Sequence, residues 1–204
     1  MTTDKIVQTA PDKNIGCVIM ASGEGKRFGG NKLMADFGGK PLVLHIIDTV
    51  RKVFSDVVVV TRHSDVEQLC RELGMDVVFH NMPYRSDTVR LGLEHFGKNF
   101  DGYIFCQGDQ PLLSEETLRN MVKEFSRDKE KIVRLQYESV PCSPVVFPQW
   151  CCEELLNLPE GKGGNIVVKN HPDKVVYVTA CNKAETTDID TCQDLEHLKK
   201  YING

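Results

Sequence analysis

A continuous apolar run that stops at a glycine-rich segment is the feature that most constrains this chain. Residues 15–20 are Ile-Gly-Cys-Val-Ile-Met, and residues 21–30 follow at once as Ala-Ser-Gly-Glu-Gly-Lys-Arg-Phe-Gly-Gly. An apolar run of this length without alternation is typical of a strand that is buried on both faces, as in a parallel sheet. The sequence therefore predicts a buried strand that leads into a loop at its carboxyl end, where ligands bind in open α/β sheets.

Strand and helix patterns alternate along the rest of the chain. Helices are expected over 41–54, 64–73, 88–96, 114–125, 150–156 and 191–201, and strands over 57–60, 77–79, 103–106, 132–137, 145–147 and 175–178. This alternation predicts an α/β fold, a three-layer, Rossmann-like and mostly parallel sheet with helices on both faces. Residues 1–13 are polar and are expected to be a flexible leader, followed by a single domain over residues 14–204.

Composition and charge disfavour several classes of partner. The 25 Lys and Arg residues are balanced by 29 Asp and Glu, and no long basic block appears, so the chain lacks the charge of a nucleic-acid-binding protein. No segment approaches the roughly 20 apolar residues that span a bilayer, and residues 1–13 do not resemble an export signal. The eight cysteines contain no C-x-x-C pair and are typical of reduced core residues. We therefore expect a cytoplasmic protein that acts on a small molecule, without nucleic-acid or membrane partners.

The loop after the first strand has the components of a phosphate-binding site. Lys26, Arg27 and Lys32 supply positive charge. A ligand can approach the backbone N–H groups at the start of the loop because the residues there are small. These small residues are Ala21, Ser22 and Gly23. The loop does not match a dinucleotide-binding fingerprint, because Phe28 stands where the third glycine is required, and no Gly-Lys-Ser/Thr follows as in a Walker A loop.

Three carboxylates follow or flank predicted strands and are candidates for a metal site. Asp109 follows Gly108 at the end of the strand over 103–106, and Asp188 and Asp190 share one face of an extended segment. Carboxylates near a triphosphate predict Mg²⁺, which prefers hard oxygen ligands. A turn at Gly108 and a helix cap at Asp190 are the simpler alternatives. The six histidines show no metal-ligand spacing, and no catalytic role is assigned to them.

Three motifs in order resemble those of a known enzyme family. Residues 20–32 contain Met-Ala-Ser-Gly-x-Gly-x-Arg-Phe-Gly-x-x-Lys, residues 108–112 are Gly-Asp-Gln-Pro-Leu, and residues 188–195 are Asp-Ile-Asp-Thr-x-x-Asp-Leu. Together they resemble the cytidylyltransferases of molybdenum cofactor maturation and their relatives in the nucleotide-diphospho-sugar transferase superfamily. The resemblance runs from about residue 15 to residue 198.

The resemblance implies a magnesium-dependent nucleotidylyl transfer. The terminal phosphate of molybdopterin would attack the α-phosphorus of CTP, giving the dinucleotide cofactor and pyrophosphate. It also implies that the backbone over 21–23 holds the nucleotide, that Lys32 meets the α-phosphate and that Arg27, helped by Lys26, meets the leaving pyrophosphate. A reaction of this kind depends on positioning and charge neutralisation.

The same resemblance assigns the metal to Asp109 and one further carboxylate, either Asp188 or Asp190. It suggests two determinants of base choice. Ser22 replaces the Ala of the cytidylyl branch and the Gly of the guanylyl branch, and its bulk favours CTP over a purine nucleotide. Thr88 lies in Arg-x-Asp-Thr-Val-x-x-Gly-Leu over 85–93, a segment that resembles the base-contacting segment of methylerythritol phosphate cytidylyltransferases. A helix N-cap is the alternative role for Thr88.

The acceptor side matches the family less well. The segment 141–144 is Pro-Cys-Ser-Pro, where relatives often carry Pro-Gly-His-Pro. The glycine-rich segment 161–165 resembles the acceptor loop, with Lys162 and Gly163 as candidate contacts, although a solvated turn is equally compatible. Alternatives are therefore a molybdopterin guanylyltransferase, a methylerythritol phosphate or sugar phosphate cytidylyltransferase, and a non-catalytic carrier that passes the cofactor to an apo-molybdoenzyme. An NAD-dependent dehydrogenase is the least favoured interpretation.

Overall fold

The computed structural model describes residues 11–97 and 99–202, and this part of the chain forms nine strands and seven α-helices. The strands are β1 (Ile15–Ala21), β2 (Asp36–Phe37), β3 (Lys40–Pro41), β4 (Val57–Thr61), β5 (Asp76–Phe79), β6 (Gly102–Gln107), β7 (Ile132–Tyr137), β8 (Val140–Pro148) and β9 (Val175–Thr179). The α-helices are α1 (Leu42–Arg51), α2 (Ser64–Glu72), α3 (Arg85–Phe96), α4 (Glu115–Arg127), α5 (Cys152–Leu156), α6 (Asn165–Asn170) and α7 (Cys192–Lys199).

Seven strands form one sheet in the order β5-β4-β1-β6-β8-β7-β9, while β2 and β3 form a small separate ribbon. Neighbours from β5 to β6 are parallel, and β7 is parallel to β9. Only β8 among the described strands of this sheet runs against its neighbours, β6 and β7. The predicted mostly parallel sheet is therefore confirmed, and the carboxyl ends of β1, β4, β5 and β6 lie at one edge.

Helices cover both faces of the sheet, as the three-layer prediction requires. One core contains buried side chains of α1, α2, α4 and α7, and the other contains those of α3, α5 and α6. The helix layer that contains α3 packs tightly against the sheet. A Cβ at Gly92 of α3 would lie only 2.6 Å from Cγ1 of Val18 in β1. Only glycine at position 92 lets α3 approach the central strand this closely.

The hairpin of β7 and β8 differs from the prediction of two separate strands with a short second one. Glu138 and Ser139 connect them with φ of 47° and 64°. Such left-handed conformations are uncommon outside glycine, and hairpin turns that use them usually contain Asn-Gly or Asp-Gly. The turn therefore carries no sequence signal, which is why the hairpin and the length of β8 were missed.

The start of one helix and the presence of another also differ from the sequence prediction. Helix α3 begins at Arg85 rather than at residue 88, and the Asp87 carboxylate accepts a hydrogen bond from Tyr84 N at 3.0 Å at this start. Helix α6, which follows the glycine-rich segment directly, was not predicted. It has six residues, too few for a helical period to appear in the sequence.

The predicted leader lies partly outside the described residues, which begin at residue 11. Within the described part, Asp12 N donates to Val53 O at 2.7 Å and Asp12 O accepts from Ser55 N at 3.0 Å. The Asp12 carboxylate also accepts from Ile15 N at 2.9 Å. Asp12 is thus attached to the start of β1 and to the end of the α1 region.

The eight cysteines are free thiols, and five of them, including the adjacent Cys151 and Cys152, are buried. Burial raises the pKa of Cys70 to about 11. This agrees with the prediction of reduced core cysteines, although Cys181 and Cys192 are exposed. Within the described ranges, none of the helices has the length and apolar character needed to cross a bilayer.

Candidate functional site

A cavity of about 580 Å³ opens at the carboxyl edge of β1, β4 and β6. Residues from the glycine-rich loop, from the segment after β6 and from the segment before α7 all line it. Nine residues predicted from the sequence are among them: Ser22, Gly23, Lys26, Arg27, Lys32, Thr88, Asp109, Asp188 and Asp190. Ala21, the remaining residue predicted for nucleotide binding, is the buried last residue of β1, and its carbonyl accepts a hydrogen bond from Thr61 Oγ1 at 2.9 Å. The fold therefore brings together segments that are up to 168 residues apart in sequence, from Ser22 to Asp190.

Lys32 is the centre of the charged part of the cavity. Its Nζ lies 2.6 Å from Asp109 Oδ2 and 3.0 Å from Asp190 Oδ1, and only 8% of its side chain is exposed. Burial lowers the pKa of Lys32, but the carboxylates of Asp109 and Asp190 outweigh it, so the pKa is raised overall. A buried ammonium group that stays charged is suited to meet a phosphate oxygen.

Local structure in the loop positions Lys32. Gly25 adopts φ +62°, and a Cβ there would lie 2.3 Å from Gly30 O, so this tight turn requires glycine. Lys32 itself begins a short 3-10 helix that is capped by Asn31, whose Oδ1 accepts from Leu33 N at 3.2 Å. The Asn31 amide also donates to Asp65 Oδ1 at 2.7 Å, which fastens the loop to α2.

The segment carrying Asp188 and Asp190 is fixed beside the end of β6. Ile189 N donates to Asp109 O at 3.0 Å, and Gln110 Nε2 donates to Asp188 Oδ1 at 2.9 Å. Asp190 Oδ2 accepts from Arg27 at 2.7 Å. The alternative that Asp190 caps the last helix is wrong.

Thr191 is the residue that caps α7. Its hydroxyl accepts from Asp194 N at 3.1 Å, and the Asp194 carboxylate accepts in return from Thr191 N at 2.8 Å. This reciprocal arrangement satisfies backbone donors at the start of the helix. The cap leaves the carboxylate of the preceding Asp190 free to face the cavity.

The carboxylates of Asp109, Asp188 and Asp190 fit a divalent cation in residue type, but they do not form a three-ligand metal site by themselves. Across residues 11–97 and 99–202, no three Asp, Glu, His or Cys side chains are close enough together to hold a metal ion. Lys32 contacts both Asp109 and Asp190. Burial raises the pKa of Asp188, and the negative charges of Asp109 and Asp190 add to this effect. Mutually repelling carboxylate oxygens fit Mg²⁺, which often binds through one or two carboxylates and substrate phosphates.

Ser22 is held by two contacts, neither of which the sequence indicated. Its Oγ donates to Val60 O at 3.1 Å and lies 2.9 Å from His80 Nε2. The His80 ring is buried, and its Nδ1 accepts from Met82 N at 3.2 Å. Nothing in the spacing of the histidines marks His80, because it meets Ser22 only through the parallel pairing of β1, β4 and β5.

Thr88 lies on α3 beside the cavity and is only 1% exposed. Its hydroxyl has no hydrogen-bond partner in the described part of the chain. Because α3 begins at Arg85, the alternative that Thr88 is the N-cap is wrong. A buried hydroxyl without a partner is costly, and a ligand that supplied the missing hydrogen bond would remove this cost.

A second cavity of about 240 Å³ adjoins the first, and Met20, Arg85, Gln107 and Ser143 line both. Its wall is mainly apolar. Gly163, which the sequence analysis gives as a candidate acceptor contact, lines it. Lys162 does not, because it is exposed and lies outside the residues that line either cavity.

Arg85 stands at the junction of the two cavities, where the sequence analysis assigned it no role. Its guanidinium group has no hydrogen-bond partner among the described residues, and a Cβ at Gly163 would lie 3.2 Å from Arg85 Nε. Arg134, deeper in the second cavity, donates to Asn165 Oδ1 at 2.9 Å. The only sequence signal for Arg85 was its place in the segment 85–93.

Comparison with known proteins identifies a family and several relatives. The family model described as MobA-like NTP transferase domain matches residues 17–175. Over 113 residues, 55% of this chain and 57% of the relative, the chain is 29% identical to the probable molybdenum cofactor guanylyltransferase of Pyrococcus horikoshii. Over 108 residues, 51% of this chain and 43% of the relative, it is 31% identical to the 3-deoxy-manno-octulosonate cytidylyltransferase of Pectobacterium carotovorum. The chain spans about half the length of the curated relatives it matches.

The fold is shared with a solved structure over nearly the whole chain. A Mycobacterium tuberculosis protein in complex with manganese superposes with a TM-score of 0.74 at 21% identity, covering 92% of this chain and 98% of that protein. At this identity the likeness concerns the fold alone.

Proposed function

The chain belongs to the family of MobA-like NTP transferase domains, and from this premise we propose that it transfers a cytidylyl group from CTP to the terminal phosphate of molybdopterin or a related phosphorylated acceptor. Membership of the family supports the predicted nucleotidyltransferase activity. The observation that carries the proposal is the buried Lys32 ammonium group between Asp109 and Asp190 in the larger cavity. A charge pattern of this kind serves phosphate chemistry.

In this reaction an oxygen of the acceptor phosphate attacks the α-phosphorus of CTP, and the bond to the β-phosphate oxygen breaks to release pyrophosphate. Lys32 would stabilise the charge on the α-phosphate, since its Nζ is already fixed in position by two carboxylates. Arg27, whose side chain is 73% exposed, and Lys26, which is 83% exposed, would reach the leaving pyrophosphate. Such groups accelerate transfer because they are aimed at charge that develops in the transition state.

Asp109 and Asp188 would hold Mg²⁺. Bound there, the ion would neutralise phosphate charge and orient the triphosphate. Asp188 is favoured over Asp190 as the second ligand because Asp190 is paired with two cations, Arg27 and Lys32, whereas Asp109 is paired with Lys32 alone and Asp188 is repelled by both Asp109 and Asp190. The manganese complex of the Mycobacterium tuberculosis protein with this fold supports a divalent ion, without identifying it as Mg²⁺.

CTP is favoured over GTP by two side chains. The Ser22 side chain takes up space beside the backbone that would face the base. Thr88 lines the same cavity, and its buried hydroxyl has no partner among the described residues. Guanylyl transfer is the second candidate, supported by the relative from Pyrococcus horikoshii, while the relative from Pectobacterium carotovorum is named as a cytidylyltransferase. The two names correspond to different bases, and a comparison of CTP binding with GTP binding distinguishes them.

The acceptor would enter the second cavity with its phosphate toward the first. Arg85 lies where the two cavities meet, so its unpartnered guanidinium group would bind the acceptor phosphate, while Arg134 and Asn165 would contact polar groups of the acceptor body. An apo-molybdoenzyme that receives the product is a further proposed partner. A carrier without turnover would bind the dinucleotide at the same cavities but would release no pyrophosphate.

The proposal is tested first by binding and then by turnover. Thermal unfolding of the purified protein with Mg²⁺ and CTP, GTP, ATP, UTP or NAD in separate samples should show stabilisation by CTP, because binding to the folded state raises the Tm. Pyrophosphate release is then measured with CTP and molybdopterin. Asp109→Ala should abolish release, whereas Asp48→Ala, at a carboxylate paired with Lys40 on the surface, should retain it. Binding of GTP alone would replace cytidylyl by guanylyl transfer, and dinucleotide binding without pyrophosphate release would favour the carrier.

A further inference from the structure

The contacts of His80 determine which hydrogen atoms lie around the Ser22 hydroxyl. Met82 N–H donates to His80 Nδ1, so this ring nitrogen carries no proton and the neutral ring carries its proton on Nε2. The Nε2–H group then donates to Ser22 Oγ, 2.9 Å away. Burial and the nearby Arg62 and Arg90 guanidinium groups lower the pKa of His80, which agrees with a neutral ring.

Ser22 consequently has no proton to offer a ligand. Its single O–H donates to Val60 O at 3.1 Å, and one of its two lone pairs accepts from His80. A serine hydroxyl has one donor and two acceptor positions, so a single lone pair remains. The side chain is half-buried and lines the larger cavity, so this remaining position is the one open to a bound molecule.

We propose that His80 is a positioning residue for base selection: it holds Ser22 as a hydrogen-bond acceptor, so that the site selects an amino group over a carbonyl at position 4 of a pyrimidine. The inference rests on the proposed function, because it requires the base to lie beside Ser22. Cytosine carries an amino group at this position and uracil carries a carbonyl oxygen. An acceptor facing the amino group forms a hydrogen bond, whereas an acceptor facing the carbonyl leaves two lone pairs opposed and unpartnered.

His80 is necessary for this selection because a serine hydroxyl alone could act either as a donor or as an acceptor. A serine hydroxyl that is free to rotate can donate to the carbonyl of uracil as readily as it can accept from the amino group of cytosine. The combined contacts from His80 and to Val60 remove this freedom. Selection between CTP and UTP is therefore separate from selection against purines, which depends on the space that Ser22 takes up.

The test compares the binding of CTP and UTP, each with Mg²⁺, by isothermal titration calorimetry. We expect the unmodified protein to prefer CTP by about tenfold or more, which corresponds to about 1.4 kcal/mol. His80→Phe keeps a buried planar ring but has no N–H, so it should bring the ratio close to one, chiefly because UTP binds more tightly. Ser22→Ala should also lower the ratio, chiefly because CTP binds more weakly.

His95→Phe is the matched control, because His95 pairs with Asp76 away from the cavity, and it should keep the ratio of the unmodified protein. Thermal unfolding of each variant establishes that it is folded, and Ser22→Ala still tests the proposal if His80→Phe does not fold. Equal affinity for CTP and UTP in the unmodified protein, or an unchanged ratio in the folded variants, would overturn the role of His80. If neither nucleotide binds, or if Lys32→Met binds both as tightly as the unmodified protein, the proposed nucleotide site itself is wrong.

Discussion

Replacing Thr88 by Val should stabilise the protein and weaken its binding of nucleotide. The Thr88 hydroxyl is buried and has no partner in the part of the chain that the structure describes. Leaving such a group unpaired costs about 1–3 kcal/mol. Val has nearly the same shape and helix propensity, so the substitution removes the cost with little change in packing or backbone preference.

We expect the unfolding free energy to rise by about 1 kcal/mol, at the low end of that range because a methyl group is somewhat larger than a hydroxyl. For a protein of this size this corresponds to an increase in Tm of roughly 2–4 °C. The affinity for CTP should fall by about tenfold, the value of one lost hydrogen bond. Urea unfolding without nucleotide and calorimetric titration of CTP measure the two effects separately.

Thr117→Val is the matched comparison. Thr117 is also fully buried at the start of a helix, but its hydroxyl lies 3.5 Å from Cys181 Sγ. The same substitution there removes a partnered hydroxyl and should give no gain in stability. If Thr88→Val destabilises the protein as Thr117→Val does, the hydroxyl of Thr88 is satisfied in the free protein and the reasoning is refuted.

Three further predictions concern charge, metal and packing. Lys32→Met should lower nucleotidyl transfer by about 100-fold or more, measured as pyrophosphate release, whereas Lys40→Met on the surface should have little effect; equal losses would contradict the role of Lys32. Asp188→Asn should raise the Mg²⁺ concentration needed for half-maximal CTP binding at least several-fold, and an unchanged Mg²⁺ titration would remove Asp188 as a ligand. Gly92→Ala should destabilise the protein, because overpacking costs about 1–3 kcal/mol and outweighs the roughly 1 kcal/mol gain in helix propensity; a rise in Tm would show that Val18 can move aside.

The charged part of the site could be predicted because it follows from sheet geometry. Lys32, Asp109 and Asp190 belong to segments that come after or flank recognisable elements, and the carboxyl ends of parallel strands meet at one edge. Residue type and position relative to the strands were therefore sufficient. The same reasoning gave the mostly parallel sheet and its layers.

The remaining features could not be predicted because they depend on contacts without a local signature. His80 meets Ser22 across three strands, and neither its spacing nor its neighbours distinguish it from the other histidines. The turn at Glu138 and Ser139 uses left-handed conformations that these residue types rarely adopt. Lys162 is a suitable residue type in a suitable loop but lies outside both cavities, so its contact with the acceptor stays a prediction.

The backbone hydrogen bond from Ile189 N to Asp109 O joins the two ends of a long segment of the chain. The chain leaves the charged end of the larger cavity at Asp109, forms α4 to α6 with their strands, and returns to the same point at Asp188. The two ends of the segment over residues 110–187 therefore lie beside each other, next to this hydrogen bond. The segment contributes most of the wall of the second cavity. Under the proposed function, the acceptor would therefore be met mainly by residues of this segment, whereas the carboxylates of Asp109, Asp188 and Asp190 lie just outside it.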